Sequence, residues 1–142
     1  MHTVKQLLES KRGSVVTIAP YASVFQALEL MAERDIGAVV VVDDGHVVGI
    51  LSERDYARKV ILHNKSSKEI TVDEIMTDRV LYVSLAHTVE ECMALMSDKR
   101  IRHLPVMDGD RLVGVLSIGD LVKATISEQD FTIRQLASYI MS

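Results

Sequence analysis

Two stretches of this chain carry the same chemical pattern. Gly49-Ile50-Leu51-Ser52-Glu53-Arg54-Asp55 returns sixty-five residues later as Gly114-Val115-Leu116-Ser117-Ile118-Gly119-Asp120. In each, a glycine lets the backbone approach a ligand closely. A serine adds a small hydroxyl, and a carboxylate follows three residues on. An ionised carboxylate can accept two hydrogen bonds from a vicinal diol such as a ribose. A helix start also attracts phosphate through its free amides and dipole. The same residues have a structural use. Ser-x-x-Asp is close to a capping box, in which Ser52 and Ser117 satisfy an early helical amide. Asp55 and Asp120 then sit in the first turn, where the dipole favours negative charge. The spacing serves either use, and the two are compatible.

The pattern belongs to a longer self-match. Shifted by 65 residues, the chain aligns with itself without a gap from about Val16/Leu81 to Ala57/Val122. Val24 meets Val89, Met31 meets Met96, Ile36 meets Ile101, Asp43 meets Asp108 and Val48 meets Val113. Such a repeat decides the fold before any single residue is read: the chain is two copies of one supersecondary unit.

Each copy reads strand-helix-strand-strand-helix. Val15 to Ile18 is a short strand stopped by Pro20. Ser23 opens a helix with Val24, Ala27, Leu28, Leu30 and Met31 on its buried face. Ile36 to Val42 is a β-branched run typical of a strand covered on both faces. Asp43-Asp44-Gly45-His46 is a hairpin turn, and Val47 to Leu51 the returning strand. Ser52 starts a helix with Tyr56, Ala57, Val60 and Ile61 inward. In the second copy the strands are Val80–Val83, Ile101–Met107 and Leu112–Leu116, with the turn at Asp108-Gly109-Asp110. Its helices run from Thr88 to about Lys99 and from Ser117 to about Ile126.

Four segments flank the copies. Thr3-Val4-Lys5-Gln6 fits a capping box and predicts a short helix through Leu7 and Leu8. Thr71-Val72-Asp73-Glu74 repeats that signal at an offset of 68, which puts about three extra residues in the Lys11 to Ser14 turn. His63 to Lys68 is a polar connector, so the expected division is residues 1–64 and 65–142. Ser127-Glu128-Gln129-Asp130 caps one more helix, with Phe131, Ile133, Leu136, Ala137 and Ile140 on its apolar side. That side either packs on its own domain or makes a dimer contact.

Composition narrows the function. The 142 residues are 48% apolar, enough for one core that the two copies are expected to share, because each alone would be marginal. Aromatics are 4% with no Trp, a poor supply of base-stacking platforms. A net charge of −4 argues against broad phosphate-backbone binding, so nucleic acid is not an expected partner. The single cysteine, Cys92, allows no internal disulfide and aligns with Ala27 on a buried helix face. The histidines have no metal-ligand spacing. No signal-peptide core and no run of membrane-spanning length is present, so a soluble, cytoplasmic protein without a membrane partner is expected.

The chain as a whole resembles a tandem pair of cystathionine-β-synthase (CBS) domains, a Bateman module. The repeat length, the element order, both Gly-x-x-Ser-x-x-Asp motifs, both Asp/Gly turns and Ile75-Met76-Thr77 carry the resemblance. It implies an α/β fold of the α+β type, with two pseudo-symmetric β-α-β-β-α repeats packed through their sheets into one module. It implies two clefts in which the motif Asp holds a ribose. One would join Ser52, Arg54 and Asp55 with Leu81, Ile101, Arg102 and His103. The other would join Ser117 and Asp120 with Val16, Ile36, Gly37 and Ala38. The implied function is a non-catalytic adenine-nucleotide sensor. AMP is the first ligand, with ATP, ADP, NAD and S-adenosylmethionine sharing the same ribose diol, and no catalytic cofactor is implied. A homodimer and a regulated protein partner are expected with it. The alternative is an interaction scaffold with vestigial clefts. No room is left for a catalytic barrel of about 250 residues, so no enzyme is expected.

The two clefts should differ. Arg102-His103 stand where the first copy has Gly37-Ala38, and Arg54 stands beside Asp55 where Gly119 stands beside Asp120. Charge-assisted phosphate donors are therefore expected in the Asp55 cleft. In the Asp120 cleft, Lys11, Arg12 or Arg79 would have to compensate. The structural alternative makes Arg102 and His103 a solvated strand start, and Arg54, Arg58 and Lys59 the outer face of a helix.

Overall fold

Polar residues set most helix starts in this chain. At Thr3, Ser23, Ser52 and Thr88 the side-chain oxygen accepts an early helical amide, and the residue three on reaches back to the cap's own amide. At Thr71 the Glu74 carboxylate accepts the Thr71 amide at 2.6 Å. The structure, a computed structural model, describes residues 2–11, 15–63 and 66–141. The expected Arg12-Gly13-Ser14 turn and the centre of the connector, Asn64 and Lys65, lie outside the described residues.

The chain forms two units, each with one three-stranded mixed sheet flanked by helices, an α/β fold built of two like repeats. One unit is Val15–Leu81. Its elements are β1 (Thr17–Ile18), α2 (Val24–Arg34), β2 (Ala38–Asp43), β3 (His46–Ser52), α3 (Glu53–Tyr56) continued by a π-helical turn (Ala57–Ile61), and α4 (Val72–Ile75). β2 is central, parallel to β1 and antiparallel to β3. The other unit joins Met1–Ser14 to Tyr82–Ser142. It contains α1 (Val4–Ser10), β4 (Val83–Ser84), α5 (Val89–Lys99), β5 (His103–Asp108), β6 (Arg111–Ser117) and α6 (Ile118–Met141), with β5 central in the same way.

These units differ from the expected 1–64 and 65–142 division. The N-terminal helix groups with the second repeat and α4 with the first. The physical reason is packing. Val4 and Leu7 of α1 are buried with Val89, Cys92, Met96, Leu104, Val106, Leu116 and Leu121. Ile70, Val72 and Ile75 are buried with Val24, Ala27, Met31, Val39, Val41 and Leu51. Each unit thus has its own apolar cluster, enlarged by a flanking segment. Burial also pushes the Cys92 thiol up to about 11, with the neighbouring Glu91 charge acting the same way.

Other differences are local. Both hairpins have two-residue loops. Asp44 and Gly45 both have positive φ, the pattern of a type I′ turn, whereas only Gly109 does in the second, as in type II′. The π-helical turn widens the spacing after Tyr56, so Val60 is buried while Ala57 and Ile61 are exposed rather than inward. α6 runs unbroken through Ser127 instead of restarting there. No glycine or proline follows Gly119, and the Thr125 and Thr132 hydroxyls satisfy carbonyls four residues back. Its tail does not pack on its own unit: Ile133, Leu136 and Ile140 are 64%, 57% and 79% exposed.

Candidate functional site

The two motif segments sit at equivalent strand-to-helix junctions. α2 and α5 each end on a residue in the left-handed region, Asp35 and Arg100. The following amide, of Ile36 or Ile101, then bonds back to the Met31 or Met96 carbonyl at 3.0 Å. That turn delivers Gly37 and Arg102 beside the motif. The Gly37 carbonyl accepts the Glu53 amide at 3.0 Å, and the Arg102 carbonyl accepts the Ile118 amide at 2.9 Å. In the sheets Ala38 stands opposite Ser52, and His103 opposite Ser117.

Within the Val15–Leu81 unit the structure therefore gathers Ile36, Gly37, Ala38, Ser52 and Asp55. Val16 packs with Ile36 against the same core, Arg54 is on the exposed side of α3, and Leu81 is exposed at the unit's end. Within the other unit it gathers Ile101, Arg102, His103, Ser117 and Asp120. The cleft groupings drawn from the resemblance take residues from both units. Inside a single unit, the neighbours of Arg102 and His103 are Ser117 and Asp120.

The two carboxylates are held differently. Asp55 has both oxygens engaged. Oδ2 accepts the Ser52 amide and hydroxyl, each at 3.0 Å, while Oδ1 accepts the Thr77 hydroxyl at 3.3 Å and faces Lys59 Nζ at 3.3 Å. Its side chain is only 15% exposed. Asp120 concentrates its partners on one oxygen. Oδ2 accepts the Ser117 amide at 2.8 Å and Lys11 Nζ at 2.8 Å. Among the described residues no hydrogen bond reaches Oδ1, and the side chain is 27% exposed. Lys11 also donates to the Val115 carbonyl at 2.7 Å, which fixes its ammonium over the motif strand.

Electrostatics follow from this cluster. Burial alone would raise the Asp120 carboxyl. The hydrogen bonds and charge of Lys11, with the Ser117 amide and hydroxyl, outweigh it and hold the group below the usual carboxylate range. Burial lowers the His103 imidazole, Lys11 and Arg102 lower it further, and Asp120 opposes them. His103 is therefore neutral at physiological pH, within the influence of the Lys11 and Arg102 charges. Lys11 supplies the local cation that the sequence left open for Asp120. Arg79 is exposed, and Arg12 lies outside the described residues.

The motif glycines are required by packing. A Cβ on Gly49 would lie 2.5 Å from Met76 Sδ and 3.0 Å from the Thr77 carbonyl oxygen. One on Gly114 would lie 2.5 Å from Leu8 Cδ2. Ile50 and Thr77 exchange two backbone hydrogen bonds at 2.9 Å, so the segment after α4 runs along β3. Sequence reasoning did not place Lys59 and Thr77 at the site. The signal that leads to Thr77 is the echo of Thr3–Leu8 in Thr71–Met76, which sets both segments against equivalent strands; the signal for Lys59 is its place four residues after Asp55 on the same helical segment.

The CBS domain family matches residues 4–62 and 72–127. The chain is a tandem CBS-domain protein. Its relatives agree along nearly the whole length. A CBS-domain protein from Burkholderia ambifaria is 50% identical with a TM-score of 0.87, over 90% of this chain and 96% of that one. The mitochondrial CBS domain-containing protein CBSX3 of Arabidopsis thaliana is 36% identical over 97% of this chain and 71% of its own length. The CBS domain pair of protein MJ0100, solved in complex with 5′-methylthioadenosine and S-adenosyl-L-methionine, is 27% identical with a TM-score of 0.80, over 90% of this chain and 98% of that one. Among the described residues of this CBS pair, no helix is long and apolar enough to cross a membrane.

Proposed function

We propose that this CBS pair is a non-catalytic regulatory module that binds an adenine-nucleotide ligand, with Asp120 as the principal ribose acceptor. The observation that carries this reading is the uneven use of the two motif carboxylates. Asp120 is ionised, part-exposed and has Oδ1 open among the described residues, with the Lys11 cation on Oδ2 and Arg102 and His103 at the adjoining strand start; Lys11 and Arg102 are the charged phosphate donors of this reading and His103 a neutral one. A ribose diol takes Oδ1 and shares Oδ2, and Lys11 turns from the carboxylate to the phosphate. Asp55 offers a diol less, since both its oxygens are engaged. This reading differs from the grouping implied by the resemblance, which set Arg102 and His103 with Asp55. The adenosyl ligands of the MJ0100 pair support the ligand class. AMP fits the cationic surroundings of Asp120 best, ahead of ATP, ADP, NAD and S-adenosylmethionine.

The scaffold reading has one observation in its favour. Each motif carboxylate is already neutralised by a lysine, Lys11 or Lys59. Calorimetric titration of nucleotide-free protein with AMP, ATP, NAD and S-adenosylmethionine separates the two. The sensor reading expects micromolar binding by at least one. Asp120→Ala then weakens it at least about tenfold, the worth of one charge-assisted hydrogen bond, and Asp55→Ala weakens it less. Binding by none of the four leaves the scaffold.

A further inference from the structure

The surface that neither repeat accounts for is the far half of α6. The family match ends at residue 127, yet the helix continues to Met141. The continuation is about 20 Å long at 1.5 Å per residue. A helix of that length is marginal in water unless an apolar face is covered.

One face of it has a specific order. Val122, Ile126, Gln129, Ile133, Leu136 and Ile140, all apolar but Gln129, follow one another at alternating spacings of four and three. That is the seam of a two-stranded coiled coil, with isoleucine at each a position (Ile126, Ile133, Ile140) and leucine at a d position (Leu136). The seam is open: Val122, Ile126, Ile133, Leu136 and Ile140 are 40%, 60%, 64%, 57% and 79% exposed. The opposite side of the same helix root buries Leu121 and packs Ala124 into the unit core, so the seam faces away from it.

We infer that this seam pairs in parallel with the same seam of a second copy of the chain. Three features select that occupant. β-branched residues at a with leucine at d favour parallel two-stranded pairing. Gln129 interrupts the seam at a d position, where an apolar partner would leave its amide unsatisfied. An amide is both donor and acceptor, so a parallel copy in register brings Gln129 against its own symmetry mate and satisfies both. The flanking residues also allow it. In that register Thr125 faces Asp130 and Thr132 faces Ala137, so no like charges meet across the seam, and Asp130 is already paired with Arg134 at 3.0 Å in its own helix.

The test is site-specific cross-linking of the full chain in a Cys92→Ala background. Parallel in-register pairing brings each a position within disulfide reach of its mate. Ile133→Cys and Ile140→Cys should each give a covalent dimer on mild oxidation, at least about tenfold faster than Phe131→Cys; the sequence grouped Phe131 with the apolar side, but in the continuous helix it is turned about 200° from Ile133 and lies off the seam. Adding Leu136→Asp to the Ile140→Cys chain should slow its cross-linking at least about tenfold. No dimer at positions 133 and 140, or equal yields at 131 and 133, would overturn the inference. The seam would then belong to a different protein or fold back on its own unit.

Discussion

Asp120 shows how one residue serves folding and binding at once. Its backbone amide and Oδ2 complete a capping box with Ser117, and Oδ1 is the part left for a ligand. Lys11 competes with the ribose and complements the phosphate, which makes its removal informative. Lys11→Met should strengthen adenosine binding a few-fold and weaken AMP binding, as read by paired titrations; a parallel change in both would remove Lys11 from the phosphate site. His103 gives a pH signature. Its imidazole is lowered in the folded chain, so the unfolded chain binds more protons from the ordinary value of about 6.5 down to that lowered value. Stability is complete above this window and falls as pH drops through it. The lowered Asp120 carboxyl adds a loss of the same sign further into acid, below the ordinary carboxylate range. Urea midpoints compared near neutrality and at about pH 5.5 should show a smaller acid loss in His103→Gln than in the parent.

The elements explain why the motif is built as it is. The strands carrying Gly49 and Gly114 each lie under a flanking segment, and a side chain at either position would collide with it. The two collisions are unequal. At Gly114 the obstacle is the tip of Leu8, which can rotate away. At Gly49 it includes the Thr77 carbonyl, held by its paired hydrogen bonds to Ile50. Gly49→Ala should therefore lower stability by about 1–3 kcal/mol, as overpacking does, and Gly114→Ala by less. Equal midpoints in denaturant would place the constraint elsewhere. The same flanking segments each bring one residue to a carboxylate: Lys11, after α1, to Asp120, and Thr77, after α4, to Asp55.

At the scale of the molecule, one repeated pattern has diverged into two unlike units. The sequence alone determined the duplication, the element order, the capping residues and the turns, because each depends on contacts within a few residues or on a self-match that needs no coordinates. Ser23 and Thr88 cap where their type and spacing say, and Cys92 is buried where its alignment with Ala27 puts it. Strand ends were less legible. Ile36 and Ile101 read as strand, but each is spent on leaving the preceding helix. Only the tertiary structure decided which flanking helix joins which repeat, since Val4 and Val72 are equally apolar and either core could take either. It alone decided which carboxylate keeps an open oxygen. Lys11 meets Asp120 across more than a hundred residues of chain, and no local spacing encodes that contact. It alone showed the α6 seam uncovered, because periodicity marks an apolar face without naming what packs on it.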